Sequence, residues 1–592
     1  MKRFFLTVTF TPDGVAVPAA PGPVLFESGP LRVTGDNLHP PVRRLRTSRG
    51  ELLVLGHPVV GRTIDDDAVG RHLESSNDPA TFAAGLNGSY LLLWYDPTRQ
   101  SLTILTDRFA SRAFYYWKQG ATLVGSTSCM DLSGRIPDPQ WVPEAFFEFL
   151  YFRRLFGDKT FAAGIRFLEF ATVLDAASGA RQRYWTPSFA KLDLGLDDFA
   201  RELARRLRNS VALYQSDGRR HGLMLSGGLD SRAILAAAAS PLVCFTNCPV
   251  ENNEFEVAGE LTRRIGTPHH FLARPADYLN DKVDDAVFLS GGMTSYTEAQ
   301  FGGYEAVITP QAQAVFLGLG LDIFFCGHYL PKSPLRLWGR ETCSFRMHPC
   351  GADLAQQFMS SVTYRLKSSD PWSIVQDRRR AALQDALRAT VEERMALGRT
   401  LGAEGYDLWE FMHLHNFARH YSFQMAFSMQ GYVDYRIPAM ENDLYALCLA
   451  MPLAHKYNWR AYQLAIRALN PELARVRNAN NNIRADLSLG WSTVVRWQRA
   501  LANRVVGPRF RSMPRGEDRS WPAPRASIDG NPAIRDMVEA LATSERLDSL
   551  GLFDMERVRA VVEDHLANRR DHAIFLNLLV TMDRFLLSRP SG

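Results

Sequence analysis

One short segment of the sequence combines glycines, hydroxyls and a carboxylate in an order that suits phosphate chemistry. An apolar stretch ends at Leu225, and Ser-Gly-Gly-Leu-Asp-Ser follows at residues 226–231. The glycines let the backbone turn tightly, so that N–H groups and the N-terminus of a following helix face one concavity. Serine hydroxyls donate to phosphate oxygens, and Asp230 can hold a divalent cation that neutralises the phosphates. We therefore predict a pyrophosphate cradle made by Leu225, Ser226, Gly227, Gly228, Asp230 and Ser231.

The residues around this segment alternate between strand-like and helix-like stretches. Residues 222–225 and 242–245 are short apolar runs, and helical patterns cover residues 232–239 and 254–265. This alternation predicts parallel strands with helical crossovers, and hence a doubly wound α/β domain. Ligands bind at the carboxyl ends of the strands in such sheets. A simple turn with a serine cap would explain the glycines, but it would not explain the whole segment at that position.

The rest of the chain divides by pattern. β-prone runs with turn residues between them occupy the first 130 residues, for example at 90–95 and 102–106, whereas helical patterns dominate from about residue 375. We predict two domains, a β-rich one at residues 1–190 and an α/β one at residues 197–592.

Composition excludes several classes of protein. The chain has 592 residues, of which 46% are hydrophobic and 22% charged, which is enough to fill large cores and excludes a disordered chain. The net charge of +5 gives no indication of nucleic-acid binding. No apolar run reaches the roughly 18 residues that a membrane span needs. Seven cysteines is a sparse, odd number, which indicates reduced thiols and a cytoplasmic location.

Several stretches together resemble one known family. Residues 226–231 are similar to the pyrophosphate loop of ATP pyrophosphatases, which cleave ATP to AMP and pyrophosphate. Four further regions occur in the order found in the asparagine synthetase superfamily. They are the glutaminase-core-like residues 87–90, 95–96, 106–108 and 114–116; the Gly-x-Gly-x-Asp segment 316–322; residues 428–429 with 433–438; and the basic stretch containing Lys456, Arg460, Arg467, Pro471, Arg475 and Arg477.

The resemblance implies a fold, cofactors and site residues. The fold would be an Ntn-hydrolase-like β-rich sandwich followed by a doubly wound ATP-pyrophosphatase domain (adenine nucleotide α-hydrolase-like) with a helical, basic C-terminal region. The cofactors would be ATP and Mg²⁺, with Asp230 and Asp322 as the metal ligands. Gly318 and Gly320 would let the backbone approach the nucleotide closely.

The N-terminal part departs from the glutamine-hydrolysing members of this family. Those members carry a cysteine directly after the initiator methionine, and its thiol is the nucleophile. Here that position is Lys2, the nearest cysteine in sequence is Cys129, and residues 55–58 (Leu-Gly-His-Pro) replace the family's Asn-Gly-Glu. We predict that this chain has no glutaminase activity. Relatives without the cysteine, namely β-lactam, carbapenam and lasso-peptide macrolactam synthetases, adenylate a carboxylate and let an amine on the same substrate attack it.

The synthetase part departs as well. Ile323 stands where an acidic residue usually follows the metal-binding aspartate, Asp434 replaces a glutamate, and Glu441 replaces an aspartate. The Arg-x-Lys of relatives reads Arg-Asn-Ala-Asn at residues 477–480, without the lysine that steadies the acyl-adenylate.

Three residues, each with an alternative interpretation or an alternative residue, are predicted to replace or complete the amine-activating machinery. Asp434 would orient or deprotonate the amine with a tyrosine, Tyr421 or Tyr406. For Asp434, a salt bridge to Arg436 is an equally good interpretation. Lys456 would supply the positive charge of the missing lysine, with Arg475 and Arg477 as alternatives.

Two other patterns have simpler interpretations. Cys244 and Cys248 with the histidines at 269–270 could be zinc ligands, but the spacing is wide and buried thiols beside a strand are favoured. The Arg- and Trp-rich stretch 495–520 is either a solvated helix face or a docking surface for an acidic peptide or a partner protein.

We interpret the chain as an ATP- and Mg²⁺-dependent amide ligase. Its substrate would be a precursor peptide, whose Asp or Glu side chain is adenylated and closed onto the N-terminal amine, as in a lasso peptide cyclase. Its protein partner would be a leader peptidase or a leader-binding protein, with no nucleic-acid or membrane partner. The alternatives are an ammonia-dependent asparagine synthetase-like enzyme or a β-lactam synthetase-like enzyme on a small molecule, and a non-catalytic scaffold.

Overall fold

The computed structural model describes residues 1–362, 366, 369–507, 518, 521 and 523–587. Its first part is built mainly from strands. The elements there are β1 (Phe5–Phe10), β2 (Val24–Ser28), β3 (Leu31–Asp36), β4 (Arg43–Thr47), β5 (Gly50–Val60), β6 (Leu86–Asp96), β7 (Ser101–Thr106), β8 (Tyr115–Gln119), β9 (Thr122–Ser126), β10 (Arg166–Phe167), β11 (Thr172–Asp175), β12 (Arg181–Arg183), α1 (Asp66–Ser75), α2 (Pro79–Ala84), α3 (Cys129–Ser133) and α4 (Pro143–Phe152).

These strands form two antiparallel six-stranded sheets within the fully described residues 1–190. Their strand orders are β10-β8-β9-β1-β3-β2 and β12-β11-β7-β6-β5-β4. Because side chains alternate along a strand, Leu53 and Leu91 of the second sheet share a core with Val8 of the first, whereas Leu52 and Leu92 pack with α1 and α2. The predicted β-rich sandwich is confirmed.

The central part alternates strands and helices. Its elements are α5 (Leu196–Gln215), β13 (His221–Met224), α6 (Asp230–Ala237), β14 (Val243–Cys248), α7 (Asn253–Ile265), β15 (His269–Ala273), α8 (Val283–Ser290), α9 (Glu305–Ile308), β16 (Ala314–Phe316), α10 (Leu321–Phe325), β17 (Lys332–Leu337) and β18 (Arg340–Met347).

The last part is mainly helical, as the sequence predicts. Its elements are α11 (Leu354–Val362), α12 (Arg380–Thr400), α13 (Gly405–Leu414), α14 (Gln424–Phe427), β19 (Asp434–Arg436), α15 (Asn442–Leu449), α16 (Leu453–Lys456), α17 (Arg460–Leu469), α18 (Pro471–Arg475), β20 (Arg477–Asn478), β21 (Ile483–Arg484), α19 (Leu489–Val506), α20 (Ala526–Asp529), α21 (Pro532–Ala540), α22 (Glu545–Ser549), α23 (Met555–Leu566) and α24 (Ala573–Leu587).

A parallel five-stranded sheet forms the centre of the second half. Its order is β15-β14-β13-β16-β19, and each neighbouring pair is parallel. From β13 the chain moves outward to β14 and β15, and it then returns to the other side of β13 as β16. The loops after β13 and β16 therefore diverge and leave a crevice at the carboxyl ends of these strands. The predicted doubly wound α/β fold is confirmed, and residues 226–231 lie at this crevice.

The C-terminal helix α24 is buried between the two halves. It packs against α4 of the sandwich and α8 of the α/β part, with Phe585 in edge contact with Phe146 and Trp141. An ion pair of 2.6 Å joins Arg584 to Asp284. A helix that is apolar on most faces is typical of a protein interior. Among the described residues, no helix has both the length and the hydropathy that a membrane crossing requires.

The division of the chain into domains follows the change of architecture. The last strand of the sandwich ends at Arg183, and α5 begins at Leu196. On this basis we propose the division into residues 1–190 and 197–592.

Candidate active site

The segment predicted to cradle pyrophosphate is a compact loop between β13 and α6. The Ser226 backbone N–H donates to Ser231 Oγ at 2.9 Å, and the Gly228 N–H donates to Ser226 Oγ at 3.3 Å. The two serine hydroxyls lie 3.0 Å apart. The side chains of the motif therefore hold the turn in shape and leave their hydroxyls at the crevice.

Gly227 is the part of this loop that faces away from the crevice. This corrects the prediction that its N–H faces the phosphates. The Gly227 N–H donates to Glu254 Oε1 at 2.7 Å. A Cβ added at Gly227 would meet the Cβ of Ala479 at 2.5 Å and that of Val257 at 3.1 Å. The glycine is needed because two neighbouring segments approach the loop closely from behind.

Gly318 serves a similar purpose in the segment after β16. A Cβ on Gly318 would lie 2.6 Å from the Ser231 backbone nitrogen and 2.7 Å from the Asp230 carbonyl carbon. Gly320 adopts φ +92°, a conformation that favours glycine, and it is the N-cap residue that precedes α10. Gly318 therefore brings this segment against the pyrophosphate loop, whereas the sequence interpretation had assigned both glycines to contact with the nucleotide.

This approach places the carboxylates of Asp230 and Asp322 near each other. Burial, with the neighbouring charge of Asp322, raises the pKa of Asp230 well above its usual range. Tyr462, which sequence reasoning missed, donates its hydroxyl to Asp230 Oδ1 at 2.8 Å. In the described part of the chain, no lysine or arginine forms a salt bridge with either carboxylate.

This pair fits magnesium, which proteins commonly bind through one or two carboxylates together with phosphate oxygens of the substrate. No cluster of three or more possible metal ligands occurs among the described residues. A cation at Asp230 and Asp322 would therefore be completed by the nucleotide.

The two segments line a cavity of about 620 Å³. That volume is within the range of about 300–1,000 Å³ for small-molecule sites. Gly227 and Gly320 do not line it. The predicted residues that do are Leu225, Ser226, Gly228, Asp230, Ser231, Gly318 and Asp322, and lining residues that were not predicted include Thr246, Asn247, Phe301, His328, Tyr329 and Asn480.

The segment that replaces the family's Arg-x-Lys holds the loop from behind. The Ala479 N–H donates to the Gly227 carbonyl at 3.0 Å. The buried guanidinium of Arg232 donates to the carbonyls of Val476 at 2.7 Å and Arg477 at 2.8 Å. Sequence reasoning missed Arg232, although it directly follows the motif.

The predicted substitutes for the missing lysine lie elsewhere. Lys456 is buried, and its Nζ donates to Glu410 Oε2 at 2.7 Å. Arg475 pairs with Glu472 at 2.5 Å, and Arg477 pairs with Glu256 at 3.0 Å. None of the three lines the cavity. This corrects the assignment of Lys456 as a catalytic cation, because Glu410 already neutralises its charge.

The position of Asp434 corrects the prediction that this residue acts on the amine. Asp434 pairs with Ala314, the first residue of β16, so it lies at the amino end of the sheet, opposite the loop. Its carboxylate accepts hydrogen bonds from His57 Nε2 at 2.7 Å and Arg219 Nη1 at 3.2 Å. The salt bridge to Arg436 is present at 3.4 Å.

Of the two tyrosines named with Asp434, Tyr406 does not complete an amine site there. The Tyr406 hydroxyl donates to the His348 carbonyl at 2.9 Å, away from the cavity. The side chain of Tyr421 lies outside the described part of the chain.

The His57–Asp434 pair predicts a pH-dependent stability. Burial, together with the positive charges of Arg436 and Arg112, lowers the pKa of His57 from 6.5 to about 4, against the opposing effect of Asp434. Between these pH values the unfolded chain binds the proton and the folded chain does not, so stability falls as the pH falls from 6.5 to 4. A pKa lowered from 6.5 to about 4 corresponds to about 3 kcal/mol of unfolding free energy.

We expect His57→Gln to reduce this loss between pH 6.5 and 4, measured by denaturant unfolding at each pH. The matched control is His348→Gln, at an exposed histidine. Identical pH profiles for the wild type and His57→Gln would contradict the assignment.

Two further sequence features could have indicated ligand binding. Cys244 and Cys248 are free and buried, as the simpler interpretation has it. In the basic stretch, residues 508–517 and 519–520 lie outside the described part. Within the described part, Trp497 Nε1–H donates to the Glu341 carbonyl at 3.1 Å, and Trp491 is exposed.

The fold and the site together define a class of enzyme. A glycine- and serine-rich loop at the switch point of a parallel sheet, facing a carboxylate pair, is suited to binding a nucleotide and its metal. Residues 202–470 match the family model described as asparagine synthase, so this region of the chain is an asparagine synthase domain. Members are ATP-dependent ligases that form C–N bonds with release of AMP, so the chain is an ATP-dependent amide-forming ligase.

Two solved structures are weakly similar to about half of the chain. The structure titled as the allosteric regulatory enzyme of purine biosynthesis is 10% identical, covers 46% of this chain and 75% of its own, and has a TM-score of 0.21. Glutamine phosphoribosylpyrophosphate amidotransferase from B. subtilis, complexed with ADP and GMP, is 10% identical, covers 49% and 86%, and has a TM-score of 0.20. No curated protein matches the chain.

Proposed function

We propose that this ligase joins a carboxylate to an amine of the same peptide, closing a macrolactam ring in a lasso precursor. The observation that carries the proposal is the loss of a glutaminase nucleophile. Lys2 occupies the position of the thiol, and the nearest cysteine in sequence, Cys129, is fully buried. Burial raises the pKa of the Cys129 thiol to about 12, so that it stays protonated and unreactive.

The residues that resemble the family's glutaminase core make internal contacts. The Asp107 carboxylate accepts backbone N–H bonds from Tyr90 at 2.9 Å and Phe109 at 2.7 Å. Ser111 donates to it through both its backbone N–H and its hydroxyl. The carboxylate is thus satisfied within the chain, and His57 lies buried against Asp434. These contacts favour a substrate that brings its own amine, for which proximity replaces delivered ammonia.

In the proposed reaction, the chain's own groups mainly bind and orient. The hydroxyls of Ser226 and Ser231 would contact the phosphates of ATP at the end of β13. Asp230 and Asp322 would hold Mg²⁺, which supplies positive charge for the phosphates. A carboxylate oxygen of the peptide attacks the α-phosphorus and pyrophosphate leaves. The peptide amine, after losing a proton, attacks the acyl carbon, and AMP leaves.

The proposed partners are the precursor peptide and a leader peptidase or leader-binding protein. A surface formed by the β17–β18 hairpin and α19 supports a protein contact. Trp338 is 89% exposed and Trp491 65% exposed, with exposed Arg336 and Arg504 on the same elements. Aromatic and arginine side chains are enriched at protein interfaces.

The test is pyrophosphate release from ATP and Mg²⁺ with candidate precursor peptides. We expect release only with a peptide that has a free N-terminus and an acidic side chain at the ring-closing position, together with loss of one water from the peptide mass. An otherwise identical peptide with an acetylated N-terminus is the matched control, and it should yield no ring.

Release with aspartate and ammonia alone would overturn the proposal in favour of an asparagine synthetase-like enzyme. Release with a small β-amino acid would favour the β-lactam synthetase alternative. The non-catalytic scaffold predicts no release with any substrate.

A further inference from the structure

A second cavity of about 480 Å³ adjoins the nucleotide cavity. The two cavities share Glu254, Asn480 and Trp521 in their walls. The remaining walls come from the end of β15, from residues 295–300 and from the C-terminal helical part, including residues 523–527. None of the site residues predicted from the sequence lines this cavity.

A buried arginine of this second cavity has unused hydrogen-bonding capacity. Arg274 directly follows β15 and is only 3% exposed. Its Nη1 donates to Gln300 Oε1, and its guanidinium lies 4.4 Å from the ring centroid of Trp521. Among the residues that the structure describes, Arg274 Nε and Nη2 have no hydrogen-bond partner. Buried N–H groups almost always have one, so these two indicate a missing acceptor.

Two of the three carboxylates that line this cavity are engaged with groups of the chain, and the third is Asp518. Glu298 pairs with Arg153 at 2.7 Å, and Glu254 accepts the Gly227 N–H of the pyrophosphate loop at 2.7 Å. Glu254 therefore connects this cavity directly to the loop. An arginine fork with two open N–H groups is suited to a carboxylate or a phosphate oxygen.

The other walls favour a carboxylate carried on an apolar body. Tyr278, Leu279 and Ile574 line the cavity beside Trp521, and they add apolar surface around the guanidinium. A phosphate group would make few favourable contacts with such walls. An acidic residue in an apolar peptide stretch would both pair with the guanidinium and bury apolar surface against the walls.

We propose that the second cavity binds a carboxylate-bearing, otherwise apolar segment of the acyl substrate, with Arg274 pairing the carboxylate. This assignment rests on the proposed function, because it takes the acyl substrate to be a peptide. The shared wall of Glu254, Asn480 and Trp521 places that segment directly beside the nucleotide, where its acyl group must react.

Isothermal titration calorimetry on the full chain tests this assignment without requiring turnover. The probes are acetyl-Leu-Glu-Leu-amide, its Gln counterpart and sodium pyrophosphate. We expect the Glu peptide to bind at least about tenfold more tightly than the Gln peptide, because only the former pairs with the guanidinium. We expect Arg274→Gln to abolish that difference, and Arg535→Gln, at an exposed i,i+4 pair, to keep it.

A second variant covers the case that Arg274→Gln does not fold. Ala523 is exposed and lines the cavity, so Ala523→Trp should fill it without removing any contact of Arg274. This variant should weaken binding of the Glu peptide by at least about tenfold and leave the affinity for ATP unchanged.

Three results would overturn the inference: equal affinities for the Glu and Gln peptides, no binding of the Glu peptide, or Arg274-dependent binding of pyrophosphate in its place. Each would leave the ligase proposal standing if peptide-dependent pyrophosphate release persists. Conversely, Arg274-dependent binding of the Glu peptide without any pyrophosphate release would support the assignment of the second cavity and contradict the proposed function.

Discussion

Replacing Asp230 by alanine is expected to lower the rate of pyrophosphate release from ATP by at least about a thousandfold, equivalent to about 4 kcal/mol. The reason is that Asp230 and Asp322 are brought together at the end of the loop with no cationic side chain paired to them in the described part of the chain. A single remaining carboxylate would hold the metal and the phosphates poorly. The measurement is steady-state pyrophosphate release with saturating ATP, Mg²⁺ and substrate.

The same substitution should leave the protein folded, and this separates a role in the reaction from a structural one. Burial and the charge of Asp322 raise the pKa of Asp230, which means that the ionised pair is unfavourable in the folded protein without a cation. Asp230→Ala relieves this repulsion but leaves the buried Tyr462 hydroxyl without its acceptor, so we expect the free energy of unfolding without Mg²⁺ to change by no more than about 2 kcal/mol.

Asp281→Ala is the matched control, because it removes an exposed aspartate that pairs with Lys282 at 2.9 Å. It should change neither the release of pyrophosphate nor the stability by more than about 0.5 kcal/mol. Undiminished release by Asp230→Ala would contradict the metal assignment, and a scaffold would lose nothing in either variant.

Gly318→Ala is expected to weaken ATP binding by up to about a hundredfold. The new Cβ would lie 2.6 Å from the Ser231 nitrogen and 2.7 Å from the Asp230 carbonyl carbon, and both are backbone atoms that cannot rotate away. The segment after β16 must then move off the pyrophosphate loop, which separates Asp322 from Asp230. Overpacking of this kind costs about 1–3 kcal/mol, and the upper part of that range corresponds to a hundredfold change.

Equilibrium titration with ATP and Mg²⁺ measures this effect. Gly195→Ala is the matched control, because Gly195 has φ −61° and a Cβ there would meet only Asp198 Oδ2 at 3.6 Å. Thermal unfolding of both variants shows whether the protein has folded. Unchanged ATP affinity in a folded Gly318→Ala variant would mean that the two segments are not jointly responsible for the site.

The corrected residues share a physical explanation. Asp434 and Lys456 are charged residues at positions that resemble functional family positions, yet each is buried and bonded to a partner distant in sequence. His57 and Glu410, the partners, lie 377 and 46 residues away. A charged side chain with such a partner contributes to packing of the two halves or of neighbouring helices, and its charge is not available to a substrate.

The sequence by itself determined the features that depend on local patterns. Alternating apolar runs defined the parallel sheet, because a buried strand and its crossover helix each have their own periodicity. Residues 226–231 identified the loop, because a tight turn that binds phosphate needs glycine and hydroxyls in a fixed order. Lys2, which stands where the family's thiol is expected, led to the prediction that this chain has no glutaminase activity, because a lysine cannot serve as a thiolate nucleophile.

Only the tertiary structure decided which distant residues meet. Tyr462 reaches Asp230 across 232 residues, and Gly318 is required by the backbone of Ser231, which no local pattern records. The pairing of β16 with β19 placed Asp434 at the amino end of the sheet, away from the site that its family position suggested. Arg274 became a candidate ligand only because its burial beside Trp521 left two N–H groups unpaired among the described residues. Such contacts arise from long-range packing, and packing is decided by the whole fold.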